Sequence, residues 1–517
     1  MLAAGLDTDC GSWFDDNLVT ALDTGAITMA QIDQALIRLT AVQMRLGYFD
    51  PPEEVPFSSI GPEDVNWEAH QQLGLDAARE GITLLKNEGS LLPLDLEPPR
   101  PLTLRTTTLA TPTPVAADVA YQATDMRLHR EAPLTFAVVG PNANATDTLL
   151  GNYFGPAPFL ISALAGIQTA LDTVGGRAVY AQGCSLDDVK MCMVNATGRP
   201  GAHALSHQRI LPHPTVPHRT HHDINPQPHH RPSDPEVEDS LIAEAATAAT
   251  EADFTVMVLG LCKRCEKEGK DRYDLLLPNR QPDLVEAVLA ATKVPVVMVV
   301  VGGGGVDLSA YVDDARVGAI VFAGYPGESG GTAIADVLFG NVSPSGRLTQ
   351  TFYSNAFLGE VSMTDMAMRP HDSSPGRTYR FYEGPSVVYP FGHGLSYTSF
   401  EYNLASAAVV SRAALGTTGG STHDVEVAID VRNAGSRAGA ETVLVYLVPP
   451  PGLTGQPLKS LRGFEKVWLE PGESATVRFA FGDADFSLAD HAGAVAVVGG
   501  TWRIVTNNDE VEVEVEV

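Results

Sequence analysis

Residues 254–272 read Phe-Thr-Val-Met-Val-Leu-Gly-Leu-Cys-Lys-Arg-Cys-Glu-Lys-Glu-Gly-Lys-Asp-Arg, an apolar run followed at once by clustered charges. The uncharged run Phe254–Leu259 predicts a buried strand that stops at Gly260. Open α/β sheets bind their ligands just beyond the ends of the strands. The loop after this strand is therefore a candidate acid/base site, with Glu266 and Glu268 as its carboxyl groups. A Glu-x-Glu pair taken alone is more typical of a solvated charged loop.

Strands and helices alternate around this stretch. Helices are predicted over Glu68–Leu85, Ala163–Leu171, Glu238–Ala252, Pro282–Thr292 and Thr332–Phe339, and strands over Leu134–Val139, Ala178–Tyr180, Pro295–Val301 and Val317–Ala323. Such alternation predicts a largely parallel α/β layer with right-handed crossovers. A nucleotide-binding protein is one alternative for this pattern, but the turn Gly302–Gly305 does not fit the G-x-G-x-x-G fingerprint.

The flanking parts of the chain differ from the α/β region. Residues 1–60 read as helices, with apolar residues at helical spacing over Ile27–Leu46, and they lack partner strands to cover that apolar face. From about residue 399, period-two alternation, as in Asp424–Val431 and Ser474–Phe481, predicts an all-β sandwich of about seven strands. The sequence thus predicts an α/β plus all-β protein, with residues 61–96 and 134–398 in the α/β domain and residues 399–517 in the sandwich.

Two segments interrupt this organisation. Residues 97–133 are rich in proline and threonine and are interpreted as a linker. Residues 193–235 contain eight of the 14 histidines, mixed with many prolines. His-rich tracts can bind metal, but this one has no helical or strand period to fix ligand geometry. It is therefore interpreted as a disordered insertion, and no metal site is predicted.

Composition excludes several classes of function. Lysine and arginine number 34 against 63 aspartate and glutamate residues, which gives a net charge of −29. Binding to nucleic acid needs clustered positive charge, so a nucleic-acid partner is not expected. No window approaches a membrane-spanning helix, so no membrane partner is expected. Residues 1–7 lack the basic head and apolar middle of a signal peptide, so the protein is either cytosolic or begins upstream of this methionine.

The cysteines and asparagines suggest modifications. Cys184 and Cys192 flank a short polar loop, and a local disulfide is predicted between them. Cys262 and Cys265 have redox or zinc spacing. A zinc site would need two more ligands, and because no second such pair exists, a thiol pair or a strained local disulfide is favoured. Glycosylation acceptor sequences begin at Asn144, Asn195 and Asn341.

Many segments of the chain together resemble glycoside hydrolase family 3, in its plant and fungal β-xylosidase branch. They are Ala3–Gly11, Val42–Asp50, Ala77–Asn87, Gly140–Asn144, Gly151–Tyr153, Gly324–Gly327, Met366–Pro370, Pro375–Tyr382 and Tyr389–Thr398. The last, Tyr-Pro-Phe-Gly-His-Gly-Leu-Ser-Tyr-Thr, is highly specific for the family. The resemblance covers nearly the whole chain except residues 97–133 and 193–235.

The resemblance implies three domains and a retaining mechanism. It implies a TIM-barrel domain, of which residues 1–60 would be the C-terminal remnant, then an α/β sandwich and a fibronectin type III-like domain. An Asp on the barrel attacks the anomeric carbon, and a Glu on the α/β sandwich serves as acid and base. Glu268 is the leading candidate for this Glu and Glu266 the second, with Asp271 and Arg272 bracing the loop.

Two departures from the family stand out. Cys262 occupies a position where the family has Asp, and Cys265 is also unusual there. In the family the nucleophile lies upstream of the segment that matches Ala3–Gly11, so the resemblance implies that this chain lacks it. Cys10 then resembles the partner of an absent cysteine.

The sequence therefore leads to two hypotheses of different classes. The first is an exo-acting β-xylosidase that releases xylose from β-1,4-xylo-oligosaccharides in xylan catabolism, with little or no turnover by this chain alone. The alternative is a non-catalytic carbohydrate-binding or interaction protein derived from the same family. By resemblance the protein is secreted, takes an oligosaccharide substrate and uses no cofactor. The sequence does not choose between xylosides, arabinosides and glucosides, and it gives no oligomeric state.

Overall fold

A computed structural model describes residues 2–96, 133–186, 235–411, 423–490, 493–506 and 511–517. The predicted linker, except Pro133, and the His-rich segment, except Pro235, lie outside the described residues. The chain divides into two compact units, Met1–Gln71 and Gln72–Val517.

The first unit is built from helices and short turns. It contains α1 (Trp13–Asp23) and α2 (Met29–Arg45), and α2 begins with a capping box in which Thr28 and Gln31 exchange hydrogen bonds. Among its described residues only Ala35 is buried. Large apolar side chains are exposed instead, including those of Trp13, Val19, Ile37, Val42, Leu46, Phe49, Phe57 and Trp67. This unit therefore has no hydrophobic core of its own.

The second unit begins with an α/β domain built on a six-stranded sheet. Its strands are β1 (Thr83–Asn87), β2 (Thr135–Val139), β3 (Arg177–Ala181), β4 (Phe254–Gly260), β5 (Val296–Val301) and β6 (Val317–Gly324). The strand order is β1-β6-β5-β4-β2-β3, with β1 antiparallel to β6 and all other pairs parallel. The prediction of a largely parallel sheet is confirmed.

Helices cover both faces of this sheet. They are α3 (Glu68–Gly81), α4 (Ala163–Asp172), α5 (Pro235–Glu251), α6 (Gln281–Ala291), α7 (Ser309–Val312) and α8 (Gly330–Leu338). One apolar cluster joins the sheet to α5 and α6, and a second joins its other face to α4 and α8. Strand β5 lies between the two clusters, and all its residues are buried. Each fully buried aliphatic side chain contributes about 1.5–3 kcal/mol to folding. The many buried side chains therefore stabilise the sheet from which the loops at its edge extend.

The predicted helix Glu68–Leu85 is wrong in its last part. Helix α3 ends at Gly81, and the chain continues as β1, which pairs with β6. Residues 82–85 are all buried, and Ile82-Thr83-Leu84-Leu85 is a short, almost wholly apolar run. Such a run fits a strand buried on both faces as well as it fits a helix, and glycine favours the end of the helix before it.

The remainder of the second unit is an irregular connection followed by a β-sandwich. The connection contains β7 (Phe352–Tyr353), α9 (Phe357–Glu360), α10 (Thr378–Phe381) and β8 (Val387–Tyr389). The sandwich contains β9 (Phe400–Ser411), β10 (His423–Asn433), β11 (Gly439–Val448), β12 (Ser460–Leu469), β13 (Ser474–Phe481), β14 (Ser487–Ala489), β15 (Val495–Val497), β16 (Thr501–Thr506) and β17 (Glu512–Glu516).

Two antiparallel sheets form the sandwich, in the orders β13-β10-β9 and β12-β11-β16-β17, with β14 and β15 as a separate hairpin. Their inner faces share one apolar cluster that includes the fully buried Trp502. The predicted all-β sandwich is confirmed.

Candidate active site

The candidate loop leaves the sheet at the carboxyl end of β4, where the chain turns sharply. Gly260 has φ +126°, and a Cβ atom there would lie 2.0 Å from the carbonyl oxygen of Val301. The buried Gln281 side chain both accepts from the Gly260 amide and donates to its carbonyl oxygen, each at 2.8 Å. Glycine and this pair of hydrogen bonds fix the direction in which the loop departs.

The loop begins with a tight turn. The amides of Cys265 and Glu266 both donate to the carbonyl oxygen of Cys262, at 2.9 and 3.0 Å. Leu261 and the two cysteine side chains are buried. The buried side of the turn holds it on the domain, while the residues after Glu266 run outward into solvent.

Glu266 points back toward the ends of the next two strands. Its Oε1 atom accepts hydrogen bonds from the Gly303 amide at 2.6 Å, from the Gly304 amide at 3.2 Å and from the Tyr325 hydroxyl at 2.7 Å. Arg272 lies 3.8 Å from the other carboxylate oxygen and also donates to the Gly305 carbonyl oxygen at 2.8 Å. Glu266 therefore ties together the loops that follow β4, β5 and β6.

The polyglycine turn leaves room for this carboxylate. A Cβ atom on Gly304 would lie 2.9 Å from both Glu266 Oε2 and Arg272 Nη2. Tyr325 is partly buried, and this burial together with the adjacent Glu266 carboxylate raises the pKa of its phenol. The phenol therefore stays protonated and able to donate at neutral pH.

Glu268 lies in a different environment. Its side chain is exposed, and its carboxylate lies near enough to the Tyr153 hydroxyl to raise the pKa of that phenol. Tyr153 is itself 79% exposed and has φ +55°, a left-handed conformation that an aromatic residue seldom adopts. Next to it, the Phe154 ring lies 3.9 Å from Lys263 Nζ. Two exposed aromatic residues, Tyr153 and Phe154, thus lie next to the loop that carries Glu268.

Comparison with known proteins agrees with this architecture. Residues 128–397 match the glycosyl hydrolase family 3 C-terminal domain, and residues 441–510 match a fibronectin type III-like domain. The chain belongs to glycoside hydrolase family 3. The family resemblance read from the sequence is thereby confirmed, and the α/β domain that carries Glu266 and Glu268 is the family's C-terminal domain.

Relatives of this family member include plant proteins named as xylosidases. The chain is 35% identical over 96% of its length to "Beta-D-xylosidase 1" of Arabidopsis thaliana, and it covers 55% of that protein. It is 32% identical over its whole length to "Probable beta-D-xylosidase 7" of the same plant, covering 59% of it. The chain thus spans little more than half the length of these relatives.

A solved structure shows the same architecture. It is a family 3 exo-β-xylosidase in complex with a xylobiose aziridine activity-based probe, 29% identical to this chain, with a TM-score of 0.74. The superposition covers 100% of this chain and 57% of the other.

The remaining predicted site residues, Asp271 and Arg272, are neighbours in the chain whose side chains have different surroundings. Arg272 lies on the inner side of the loop next to Glu266. Asp271 is exposed, and its side chain makes no hydrogen bond or ion pair with the described residues. Both border an open cleft of about 470 Å³, lined on its apolar side by Phe357, Leu358, Val361 and Met363.

The predicted modification sites are only partly described. Cys184 is buried, and its predicted partner Cys192 lies outside the described residues, as does Asn195. Asn144 is exposed, and its Oδ1 atom accepts from Ser162 at 3.0 Å. Asn341 is exposed, but its Nδ2 atom, where a glycan would be attached, donates to Asp336 at 2.9 Å. Glycosylation and the Cys184–Cys192 disulfide stay predictions.

Two further findings concern metals and membranes. Within the described ranges, no group of three or more His, Cys, Asp or Glu side chains could hold a metal ion. The same ranges contain no helix of the length and apolarity needed to cross a bilayer.

Sequence reasoning did not assign Tyr153, Tyr325 and the glycines Gly303 and Gly304 to the site. Each lies in a loop at the same edge of the sheet as Glu266. Two of these segments, Gly151–Tyr153 and Gly324–Gly327, were visible as family motifs. Their position after predicted strands is a second signal, because the loops that follow neighbouring parallel strands meet at one edge of the sheet.

Proposed function

We propose that this chain carries the acid/base half of a retaining β-xylosidase, and that Glu268 is its general acid and base. The observation that supports Glu268 over Glu266 is the set of hydrogen bonds around Glu266. One oxygen of Glu266 accepts from two backbone amides and a phenol, and the other faces Arg272. A carboxylate whose oxygens are occupied in this way is fixed to the protein, whereas an acid catalyst must place an oxygen on the leaving group and hand it a proton.

The proposed reaction uses Glu268 twice. It first gives its proton to the glycosidic oxygen of the leaving sugar while a second carboxylate attacks the anomeric carbon. It then removes a proton from the water that hydrolyses the glycosyl-enzyme intermediate. This mechanism requires the two carboxyl groups to be about 5–5.5 Å apart.

The second carboxylate is proposed to lie outside residues 1–517, on a barrel domain of which residues 1–60 form the last part. The exposed apolar side chains of the first unit support this proposal, because helices of this kind need a covering surface. The names of the plant relatives support xylosides as the substrate class, and we propose that xylose is released from the end of β-1,4-linked oligosaccharides. We also propose that the protein is secreted, as the family resemblance implies.

The test compares the chain alone with a completed protein. In the completed protein, the part of Arabidopsis Beta-D-xylosidase 1 that this chain does not match is joined to it. Hydrolysis of 4-nitrophenyl β-D-xyloside is expected from the completed protein and not from the chain alone, because loss of a covalent nucleophile removes the reaction path.

Three outcomes of this test are informative. Robust hydrolysis by the chain alone would place the nucleophile within it. Binding of xylo-oligosaccharides without hydrolysis in the completed protein would favour the carbohydrate-binding alternative. Faster hydrolysis of the arabinoside or glucoside analogue would change the substrate class while leaving Glu268 in its role.

A further inference from the structure

Cys262 and Cys265 belong to the same turn, and the proposed hydrolysis does not use them. Both side chains are buried, with exposures of 4% and 1%, and their Sγ atoms lie 3.6 Å apart. The turn between them is closed by the backbone bond from the Cys265 amide to the Cys262 carbonyl oxygen. Residues at the two ends of such a turn have Cα atoms within about 7 Å of each other, a separation that a disulfide can span.

We propose that Cys262 and Cys265 are a dithiol–disulfide site whose oxidation fixes the turn that carries Glu266 and Glu268. The thiolate of one cysteine attacks a small disulfide such as oxidised glutathione, which leaves a mixed disulfide and releases one glutathione thiolate. The second cysteine attacks that mixed disulfide, forms the Cys262–Cys265 bond and releases the other glutathione. The protein loses two electrons and two protons, and the oxidant becomes two thiols.

The new bond constrains the residues that follow it. The Glu266 amide donates to the same Cys262 carbonyl oxygen that closes the turn, at 3.0 Å. On its other side Glu266 is held by the amides of Gly303 and Gly304. A crosslink removes the conformations in which the turn is open. Residues 266–268, which follow the disulfide directly, should therefore leave their folded conformation less often.

The residues around Cys262 and Cys265 favour a disulfide between them over a zinc site or a disulfide with another cysteine. A zinc ion would need two more ligands, and the described residues supply no cluster of three or more metal-ligating groups. Cys184 is buried in a different apolar cluster, the one that joins the sheet to α5 and α6, whereas Cys262 and Cys265 share a cluster of their own. Cys10 is exposed and lies in the other unit of the chain.

The sequence between the two cysteines supplies a direct assay. Trypsin cleaves after Lys263 and after Arg264, so digestion separates Cys262 from Cys265 unless a disulfide joins them. The full chain is equilibrated in glutathione buffers of increasing oxidised fraction, quenched in acid, alkylated under denaturing conditions and digested. The linked peptide is expected to increase with the oxidised fraction and to disappear after treatment with dithiothreitol.

Hydrogen exchange tests the consequence for the loop. Amide exchange over residues 266–269 is expected to slow by about tenfold in the oxidised protein, the effect of closing a short loop by a crosslink. The variants Cys262→Ser and Cys265→Ala should each abolish both the linked peptide and the slower exchange. Cys10→Ser is the matched control and should leave both unchanged.

Several results would overturn the proposal. One is a link from either cysteine to Cys10, Cys184 or Cys192 in place of the local bond. Another is complete alkylation of both cysteines at every glutathione ratio. A linked peptide with unchanged exchange would refute the effect on the turn. None of these measurements involves a substrate, so they stand whether or not the completed protein hydrolyses xylosides.

Discussion

The loop after β4 has an inner region and an outer region that contain the same residue type in opposite situations. In the inner region, Glu266 accepts from Gly303, Gly304 and Tyr325. In the outer region, Glu268 is exposed beside the aromatic residue Tyr153. Under the proposed function, an anchor and a proton carrier lie two residues apart, and the hydrogen bonds each carboxylate makes, rather than its residue type, separate the two roles.

The largest expected effect comes from the outer region. In the completed protein, Glu268→Gln should lower the rate on an alkyl xyloside by about 10²–10⁴-fold, because general acid catalysis is lost. The loss in kcat/KM, which reports the first step, should be much smaller for a 2,4-dinitrophenyl xyloside, whose leaving group departs without protonation. Hydrolysis of the intermediate still lacks its base, so kcat should fall with both substrates. Steady-state kinetics with both substrates measure the difference.

Glu266→Gln is the matched control for that experiment. It should lower the rates on the two substrates by similar factors, because it disturbs the position of the loop and not the proton transfer itself. If Glu266→Gln showed the dependence on leaving group and Glu268→Gln did not, the two roles would have to be exchanged.

The next largest expected effect is a loss of stability when Glu266, in the inner region, is replaced. Glu266→Ala should lower the free energy of unfolding of the α/β domain by about 2 kcal/mol, since it leaves two amides and a phenol without their acceptor. Glu268→Ala should change that free energy by less than about 0.5 kcal/mol, as is usual for an exposed side chain. Urea unfolding followed by circular dichroism compares the two variants. Equal destabilisation by both would remove the distinction between anchor and carrier.

How much of this contrast was visible in the sequence depends on the residue. The strand Phe254–Leu259, the loop and both glutamates followed from a local apolar run and its abrupt end. The partners of Glu266 did not, because they are about 40 and 60 positions away along the chain, and only the parallel order of β4, β5 and β6 brings them together. The position of Tyr153 beside Glu268 could not be predicted either, since it depends on the conformation of two loops that are more than 100 residues apart in the chain.

The same limit explains the error at the start of the α/β domain. Ile82-Thr83-Leu84-Leu85 continues the apolar character of α3, so local pattern extended the helix through it. Its true partner, β6, lies more than 200 residues further on. Tertiary pairing therefore decides the structure of a run that local periodicity leaves ambiguous.

A smaller stability effect should follow from the phenol of the inner region. Tyr325→Phe removes one donor to Glu266 and leaves the two backbone donors in place, so it should cost about 1 kcal/mol. Tyr153→Phe is the matched control in the outer region, where the side chain is exposed to water, and it should leave urea stability unchanged within error. A larger loss in Tyr153→Phe than in Tyr325→Phe would reverse the assignment of inner and outer regions.

The last expected effect, similar in size, is the dependence of stability on alkaline pH that the same two tyrosines produce. Burial raises the pKa of Tyr325 above that of an unfolded tyrosine, which ionises near pH 10. The stabilisation from this group is therefore complete below about pH 10 and is lost as the pH rises further, because the unfolded chain releases the proton first.

Between pH 9 and 11 the wild-type domain should lose about 1 kcal/mol more stability than Tyr325→Phe. Tyr153→Phe should follow the wild type, since solvent screens the exposed Tyr153 pair. Parallel pH curves for the wild type and Tyr325→Phe would mean that Tyr325 ionises as easily folded as unfolded, and that the inner region is open to water.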